Sequence, residues 1–484
     1  MKEIIIDPIT RLEGHGNVSI FLNDAGEVEN AYLKIPELRG FEKFCVGRRA
    51  ELMPQLTSRI CGVCPVAHHF AATKALDVAF NVEAPSAAKK LRELIYSAYY
   101  IYDHTLHFYY LGGPDFIVGP DAPPEKRNIL GVIEKAGLDV AKEVIKHRAF
   151  GQKITEIIGG KATHPVCGLP GGMSKAISEA QREEIETMAA SCVNFAQFTL
   201  KLFHQIVLGN STYVDMIKSQ AYTMPTYYMG TVDGNNKVNF YDGKIRVVDP
   251  SGSEFVKFDS QDYLKHISEH VEEWTYSKLP YLTAVGWKGQ VAGPNSGVYR
   301  VGPLGRLNAS SGMTTPLAQA EYEEMYKALG PKPVHSTLAF HWARLIELLY
   351  ACEHALELAK DPEITSTNIR NKPGEPGEGV GIVEAARGTL IHHYKLDKDA
   401  LIKEVNLIVA TTNNYPAICM SVRDAAKGLI HGGKIDQGIL NKVEMAFRAY
   451  DPCFGCATHS AVGQMPLTVE LYNAQKQLIS SVSR

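Results

Sequence analysis

The feature that most constrains this 484-residue chain is a pair of C-x-x-C motifs at its opposite ends. Cys61 and Cys64 lie in "RICGVCPVAHH", and Cys453 and Cys456 lie in "DPCFGCATH". A C-x-x-C turn directs two thiolates to one side, so two such turns complete a four-sulfur shell for a soft metal ion. A compact structural zinc site draws its pairs from neighbouring stretches of chain. Pairs from opposite ends predict a deeply placed centre that the whole fold closes around.

Spacing alone leaves several interpretations of these motifs open. A plain structural zinc ion and two unrelated cysteine pairs both remain, and a four-sulfur shell does not distinguish nickel, iron and zinc. Each motif is followed by a histidine, His68 or His459, placed to be a ligand or to hydrogen-bond one. The remaining cysteines are expected to be small buried apolar residues: Cys45, Cys167, Cys192, Cys352 and Cys419.

Composition and the N-terminal sequence exclude several classes of partner and location. A formal net charge of −3 gives no case for binding nucleic acid or acidic lipid. The N-terminus "MKEIIIDPITRLEGHG" lacks the apolar region of a secretory signal, and no apolar run of about 18 residues occurs. The chain is therefore expected to be cytoplasmic, with no membrane span of its own. In a reducing compartment, spaced cysteine pairs indicate metal or redox chemistry.

Hydrophobic periodicity predicts an α+β fold that is predominantly helical. Residues 1–40 alternate as strands do, with a hairpin turn at Asp24–Gly26. Long segments such as "SAAKKLRELIYSAYYIYDHTLHFYYL" and "VHSTLAFHWARLIELLYACEHALELAK" are helical in period and apolar on more than one side, which predicts a buried bundle. Between about 222 and 312, short β-branched runs separated by turn signals predict a β insertion. The rest of the chain is expected to form the helical core.

Both cysteine motifs resemble the signatures of the large, catalytic subunit of [NiFe] hydrogenases, R-x-C-G-x-C-x-x-x-H and D-P-C-x-x-C-x-x-H. Further blocks similar to that family follow in the family's order: "DPITRLEGHG", "RGFEKF", "DHTLHFYYL", "IGGKATHPVCGLPGG", "EAARGTLIHHY" and "LIVATTNN". The matched blocks run from residue 7 to residue 459, nearly the whole chain. The resemblance implies the large-subunit fold, which a subunit of respiratory complex I shares without the cysteine pairs.

The resemblance also implies a nickel–iron centre. Cys61 and Cys453 would be terminal nickel ligands, and Cys64 and Cys456 would bridge nickel to an iron that carries one CO and two cyanide ligands. Four thiolates donate electron density to nickel and allow it to change oxidation state. The implied reaction is the reversible heterolytic cleavage of H2.

The same resemblance implies roles for four residues around the centre. Glu13 matches the family's proton-relay glutamate, and a carboxylate facing a buried metal suits proton exchange near neutrality. Arg387 matches an arginine over the open nickel–iron position, where a fixed cation can orient charge and hydrogen-bond a cyanide. Asp103 and Asp451 match the carboxylates that hold this arginine. Ala386 stands where many relatives have proline.

Four further positions are implied around the centre and at a second ion site. His68 is expected to donate a hydrogen bond towards a thiolate, and Thr411 to a cyanide, with Thr412 nearly as well placed. Glu42 and His459 match the family's Mg2+ site. Because histidine is an unusual Mg2+ ligand, iron is the alternative there.

Residues 460–484 resemble the C-terminal extension that relatives carry after the motif histidine. A dedicated maturation protease removes it once nickel is in place, so the cut is expected after His459 and the mature domain would be 1–459. An ordinary C-terminal strand or helix is the other interpretation.

The chain has no additional cysteine pairs for iron–sulfur clusters, so electrons must leave through another chain. The resemblance implies an iron–sulfur small subunit with flavin- or NAD(P)-binding, diaphorase-type subunits beyond it. "LIVATTNN" and the second cysteine motif resemble the cytoplasmic multimeric branch, which favours an NAD(P)-linked assembly, bifurcating or not. The alternatives are an F420- or heterodisulfide-linked hydrogenase, an H2 sensor and a membrane-bound energy-converting hydrogenase.

Overall fold

The computed structural model describes residues 2–458, 468–472 and 478–483. Helices occupy most of the interior, and small sheets flank them. In the described residues the α-helices are α1 (Phe41–Cys45), α2 (Met53–Thr57), α3 (Pro65–Ala79), α4 (Ser86–Leu106), α5 (Pro114–Ile117), α6 (Ile129–Ala136), α7 (Leu138–Gly159), α8 (Glu179–Phe203), α9 (Ser211–Lys218), α10 (Tyr263–His266), α11 (Gly302–Ala309), α12 (Pro316–Leu329), α13 (Phe340–Lys360), α14 (Ala410–Leu429), α15 (Gln437–Arg448) and α16 (Phe454–Ala457).

The strands of the same residues form separate small sheets. They are β1 (Lys2–Ile6), β2 (Asn17–Leu22), β3 (Val28–Lys34), β4 (Gly168–Leu169), β5 (Gly172–Met173), β6 (Tyr227–Val232), β7 (Lys244–Val248), β8 (Glu254–Phe258), β9 (Ile267–His270), β10 (Leu279–Leu282), β11 (Tyr299–Arg300), β12 (Glu378–Ala385), β13 (Gly388–Leu396), β14 (Ile402–Ile408), β15 (Thr468–Tyr472) and β16 (Leu478–Ser483).

Long helices form the buried bundle that the periodicity predicts. Helix α13 packs against α4 and α8, and α4 also packs against α7. Nearly every residue of α13 is buried, including Trp342, Arg344 and Glu347. A helix with neighbours on all sides has no polar face to present to water, which explains why its sequence is apolar on more than one side. The predicted predominantly helical α+β architecture is confirmed.

The N-terminal strands β1, β2 and β3 form an antiparallel sheet, as the alternation predicts. The turn between β2 and β3 is held by Asn23, whose Oδ1 accepts hydrogen bonds from the amides of Ala25 and Glu27, both at 3.0 Å. Gly26 takes a positive φ of 80°, which glycine adopts at little cost. Strand β3 packs on α14, so the sheet covers one side of the helical core.

The β insertion is shorter than predicted. Its main sheet has the order β11-β6-β7-β8, and β9 and β10 form a separate hairpin. The strands end at Arg300, and α11 begins at Gly302 with Pro303 in its first turn. Proline is favoured in the first turn of a helix because its missing N–H has no partner there in any case.

A third antiparallel sheet, β12-β13-β14, replaces helix in a region that the sequence assigned to the helical core. Both faces of β12 are buried, so its sequence lacks the alternation that marks a half-exposed strand. Helix α3 lies directly on β12. A Cβ atom on Gly379 or Gly381 would come within 2.2 Å of the carbonyl oxygens of Ala75 and Ala71, respectively. These two glycines therefore permit the close approach that positions α3, which begins immediately after Cys64.

The described parts of the C-terminal tail form a hairpin. Strands β15 and β16 pair in antiparallel register, with Thr468 opposite Ser483. In the described part of the chain, no helix is both long enough and apolar enough to cross a membrane.

A fully buried ionic network joins α11, α13 and β12. Arg306 donates from Nε and Nη2 to the Glu347 carboxylate at 2.6 and 2.7 Å, and from Nη1 to Glu384 at 2.8 Å. His104 of α4 lies 3.0 Å from the same Glu347 carboxylate. Because charges in the interior are stable only when paired, each member of this network depends on the others.

We expect Glu347→Ala to lower the free energy of unfolding by roughly 3–5 kcal/mol, because it leaves Arg306 buried with one carboxylate instead of two. Urea denaturation followed by circular dichroism would measure the loss. Glu156→Ala is the control, since Glu156 pairs with Lys153 at 3.0 Å on the surface and its removal should leave the midpoint unchanged. Equal midpoints for the two variants would contradict a structural role for the network.

Candidate metal centre

Four cysteine sulfurs from the two ends of the chain meet in one buried site. The Sγ atoms of Cys61, Cys64, Cys453 and Cys456 all lie within 4.8 Å of one another. Individual separations are 3.4 Å for Cys61–Cys453, 3.6 Å for Cys64–Cys456 and 2.9 Å for Cys453–Cys456. Four sulfurs bound tetrahedrally to one ion at about 2.3 Å would be roughly 3.8 Å apart. The cluster therefore has the size of a metal-ligand set.

The electrostatics of the cluster also suit a metal ion. Hydrogen bonds with Cys453, Cys456 and Cys64 hold the pKa of Cys61 well below that of a free thiol. Burial raises the pKa of Cys453 and of Cys456 well above it. The protein alone thus stabilises one thiolate but not four. A bound cation supplies the charge that lets the other thiols ionise, so these residues fit a thiolate-ligated metal.

The N-terminal segment holds the second cysteine motif in place. Glu13 and Cys453 form a parallel β-bridge, in which the amide of Phe454 donates to the Glu13 carbonyl at 3.0 Å. Gly14 follows with φ of +89°, and a Cβ there would lie 2.9 Å from the Gly455 nitrogen. Only glycine fits both the backbone conformation and the space. The sequence "LEGH" is thus shaped to lie against the motif "DPCFGC".

The Glu13 carboxylate contacts the cluster directly. Cys453 Sγ donates to Glu13 Oε2 at 2.9 Å, and the Gly455 amide donates to the same oxygen at 3.0 Å. Burial and the nearby Cys61 sulfur raise the pKa of Glu13, although the hydrogen bonds from Cys453 and Gly455 act in the opposite direction. The residue is only partly buried, so it reaches from the buried sulfur towards the surface. This placement suits a group that takes and releases protons.

Arg387 occupies the tight turn between β12 and β13, where two carboxylates hold it. Nη1 is 3.1 Å from Asp103 Oδ2, and Nη2 is 2.9 Å from Asp451 Oδ2. Burial alone would lower the pKa of Arg387, but Asp103 and Asp451 raise it well above its usual range, so the guanidinium stays charged. Burial raises the pKa of Asp451 to about 7, despite the neighbouring Arg387. Oδ1 of each aspartate is buried without a hydrogen-bond partner among the described residues.

A second buried arginine, Arg344, lies near Arg387 and its two carboxylates, and the sequence did not predict a role for it. Arg344 of α13 donates to the carbonyl of Ala449 at 2.8 Å. Burial lowers the pKa of Arg344 to about 10, while Asp451 is the main group that raises it. The signal in the sequence was a charged residue within an otherwise apolar helix, "FHWARLIELL", and such a residue is buried only with partners.

His68 lies beside Cys456, and Thr411 lies beside Cys453. His68 Nε2 is 3.6 Å from Cys456 Sγ, and its Nδ1 is 3.2 Å from His392 Nε2. The Thr411 hydroxyl oxygen accepts from the Cys453 amide at 3.0 Å, which leaves its own proton available for donation. Thr412 instead donates to the Ala457 carbonyl at 3.4 Å. His392 lies within the block "EAARGTLIHHY", but the sequence alone gave it no role.

The predicted second ion site is described only in part. Glu42 of α1 is buried, and its Oε1 accepts from the Leu407 amide at 2.8 Å. His459, the other predicted ligand, lies outside the described residues.

Comparison with known proteins gives the family of this chain. A family model for nickel-dependent hydrogenases matches residues 39–122 and 142–459, and a HoxL-like model matches residues 3–38. The chain is 47% identical to an iron-sulfur subunit of the F420-non-reducing hydrogenase from Archaeoglobus profundus, over 100% of this chain and 99% of that protein. It is 39% identical to the NAD-reducing hydrogenase HoxS subunit beta of Cupriavidus necator, over 100% of both.

A solved structure agrees with the sequence matches. The chain aligns with an NAD+-reducing [NiFe]-hydrogenase in the H2-reduced state with a TM-score of 0.90 and 37% identity, over 95% of this chain and 100% of that one. The chain therefore belongs to the nickel-dependent hydrogenase family. Within that family it is the catalytic large subunit of a [NiFe] hydrogenase, as the resemblance of its motifs implied.

We expect Cys→Ser at Cys61, Cys64, Cys453 or Cys456 to abolish H2 oxidation and to reduce bound nickel, because a serine hydroxyl is a poor ligand for a soft metal ion. Elemental analysis and a dye-linked H2-oxidation assay would measure the two effects. Cys419→Ser is the control, since Cys419 is an isolated buried cysteine near the Leu33 carbonyl. Full activity in Cys453→Ser would contradict the assignment of the cluster as the metal site.

Proposed function

We propose that this subunit catalyses the reversible heterolytic cleavage of H2 at a nickel–iron centre held by Cys61, Cys64, Cys453 and Cys456. The observation that carries the proposal is the meeting of four buried sulfurs beside a carboxylate, Glu13, that contacts one of them. The nickel–iron group, with one CO and two cyanides on iron, supplies when bound the position at which H2 is polarised and split. The rest of the chemistry falls to the residues around it.

When the group is bound, Cys61 and Cys453 would hold nickel as terminal ligands, and Cys64 and Cys456 would be the ligands shared with iron. A terminal thiolate keeps more of its electron density than one shared between two metals, so it is the better proton acceptor. Cys453 is the sulfur that contacts Glu13, at 2.9 Å. Cys456 is the sulfur that faces His68, at 3.6 Å. The two kinds of neighbour suit the two kinds of ligand: a carboxylate that exchanges protons, and an imidazole that donates a hydrogen bond.

Glu13 carries the proton away from the centre in this proposal. Its Oε2 accepts the proton from Cys453 Sγ, while the Gly455 amide keeps that oxygen in place. A raised pKa allows the carboxyl to hold the proton transiently before releasing it. Because Glu13 is partly exposed, the proton can pass from the buried sulfur to the surface side of the residue.

Arg387 provides a fixed positive charge beside the centre. Asp103 and Asp451 hold both of its terminal nitrogens, so the guanidinium cannot turn away. A cation fixed in a water-poor site stabilises negative charge that develops during H2 cleavage and can donate to a cyanide. Thr411 is placed for the same donation, through the hydroxyl proton that its bond with Cys453 leaves available.

Two further assignments concern the C-terminal end. We assign Glu42 and His459 to a site for Mg2+, or for iron, that ties the end of the mature chain into the core. We also propose that residues 460–484 are removed after His459 by a maturation protease once nickel is bound. The family membership of the chain and the position of the motif histidine support both assignments.

We propose that electrons pass to an iron–sulfur small subunit, then to NAD(P) through flavin-containing subunits, in the cytoplasm. The 0.90 TM-score with an NAD+-reducing [NiFe]-hydrogenase supports this acceptor. The 47% identity with a component of an F420-non-reducing hydrogenase argues against F420 as the acceptor and leaves the heterodisulfide-linked assembly as a second candidate. In both cases we propose an assembly of several subunits, because the relatives are named as subunits of hydrogenases.

Glu13→Gln should slow H2/D2O isotope exchange by about 10²- to 10⁴-fold, the contribution of a positioned acid–base group, while nickel and iron stay bound. Gln keeps the shape and can still accept from Gly455, but it cannot take a proton from Cys453. Membrane-inlet mass spectrometry would follow the exchange. Glu37→Gln is the matched control, since Glu37 pairs with the exposed His15 away from the sulfurs. Exchange at the wild-type rate in Glu13→Gln would exclude this residue as the relay.

The purified native complex tests the remaining assignments together. We expect infrared bands of one CO and two cyanides, a large-subunit mass that ends at His459, and an iron–sulfur subunit in the complex. Reduction of NAD+ or NADP+ under H2 would identify the acceptor. Nickel-loaded enzyme without CO and cyanide bands would refute the nickel–iron assignment, and H2 oxidation without NAD(P) reduction would favour the second candidate.

A further inference from the structure

A continuous chain of buried polar groups leads away from Cys456. His68 Nε2 faces Cys456 Sγ at 3.6 Å, and His68 Nδ1 is 3.2 Å from His392 Nε2. His392 Nδ1 is in turn 2.8 Å from the hydroxyl of Tyr394. All four residues are essentially inaccessible to solvent. Burial raises the pKa of Tyr394 well above its usual range, so its hydroxyl keeps its proton.

Two secondary-structure elements, α3 and β13, hold this series of hydrogen-bonded groups in place. His68 lies on α3, which the glycines of β12 bring close to the sheet. His392 and Tyr394 are alternate residues of β13, so their side chains project from the same face of the strand. His393, between them, projects from the other face and bonds Tyr263 instead, at 2.9 Å from Nδ1 to the hydroxyl. The strand thus carries two His–Tyr pairs, and one of them leads to the metal site.

The donor and acceptor roles along the chain follow from its sulfur end. A metal-bound thiolate can only accept, so a hydrogen bond at this end requires the proton of His68 on Nε2. A neutral His68 then accepts at Nδ1, which requires the proton of His392 on Nε2. His392 accepts at Nδ1 in the same way, and the hydroxyl of Tyr394 is the donor that completes the series.

We propose that Tyr394 and His392 are positioning residues that fix the tautomer of His68, so that it donates a hydrogen bond to the bridging thiolate of Cys456. This inference rests on the proposed nickel–iron centre. A hydrogen bond to a ligating sulfur withdraws electron density from the metals and is one of the factors that set their potential. Tyr394 acts on the centre through two imidazoles without touching it.

Infrared spectra of the nickel-loaded holoenzyme test the proposal through the CO band on iron. Tyr394→Phe removes only the hydroxyl that bonds His392, and this hydroxyl is also in hydrogen-bond contact with Thr57. His392 can then carry its proton on Nδ1, and His68 can turn its own proton away from Cys456. The bridging thiolate regains electron density, so we expect the CO band to move to lower wavenumber, with H2 oxidation lowered about 10-fold or more. His392→Leu should act in the same direction, whereas His392→Gln retains an amide donor and should stay near the wild-type band.

Tyr263→Phe is the matched control, because it removes the hydroxyl of the His–Tyr pair on the opposite face of β13. An unchanged CO band in Tyr394→Phe, or an equal shift in Tyr263→Phe, would overturn the inference. If a variant matures poorly, its nickel content decides the test. Loss of nickel in Tyr394→Phe alone supports the proposed series of hydrogen bonds, and equal loss in Tyr394→Phe and Tyr263→Phe overturns it. Wild-type enzyme that binds nickel but shows no CO or cyanide bands would instead refute the proposed centre.

Discussion

The parallel bridge between Glu13 and Cys453 is the contact on which the site depends. It joins the N-terminal segment to the C-terminal motif and brings the Glu13 carboxylate to 2.9 Å from a sulfur of the cluster. Cys61 and Cys64 reach the same place from the start of α3. Four buried thiols cannot all ionise without a cation. The fold therefore brings the four ligands together, and binding of the metal allows all of them to become thiolates.

The charged side chains near the sulfurs come from different secondary-structure elements. Asp103 comes from α4 in the bundle, Arg387 from the hairpin of β12 and β13, and Asp451 from the segment before α16. Since buried charges are stable only when paired, the arginine and its two carboxylates fix one another. The same principle places Arg306 with Glu347 and Glu384 farther along the helices. Buried charges therefore occur both beside the sulfurs and within the helical bundle, and in both places they are paired.

The two cysteine motifs and the other ordered sequence blocks predicted the family, and the helical periodicity predicted the bundle. The sheet of β12, β13 and β14 was predicted wrongly as helical core. Strand β12 and most of β13 are buried on both faces, and such strands lack the alternation that distinguishes strand from helix. Arg344 and His392 were also missed, because their importance lies in neighbours that are distant in the chain. The roles proposed for the site residues, for the second ion site and for the tail remain predictions.

The sequence by itself determined which residues could be ligands, because thiolate pairs, their flanking histidines and the ordered motifs are properties of residue type and spacing. Only the tertiary structure decided which sulfur contacts Glu13, which one faces His68, and that Tyr394 stands at the end of a hydrogen-bonded chain to Cys456. Those relations join α3, β13 and the two ends of the chain. They depend on distances of about 3 Å between segments that are hundreds of residues apart, which local patterns do not encode.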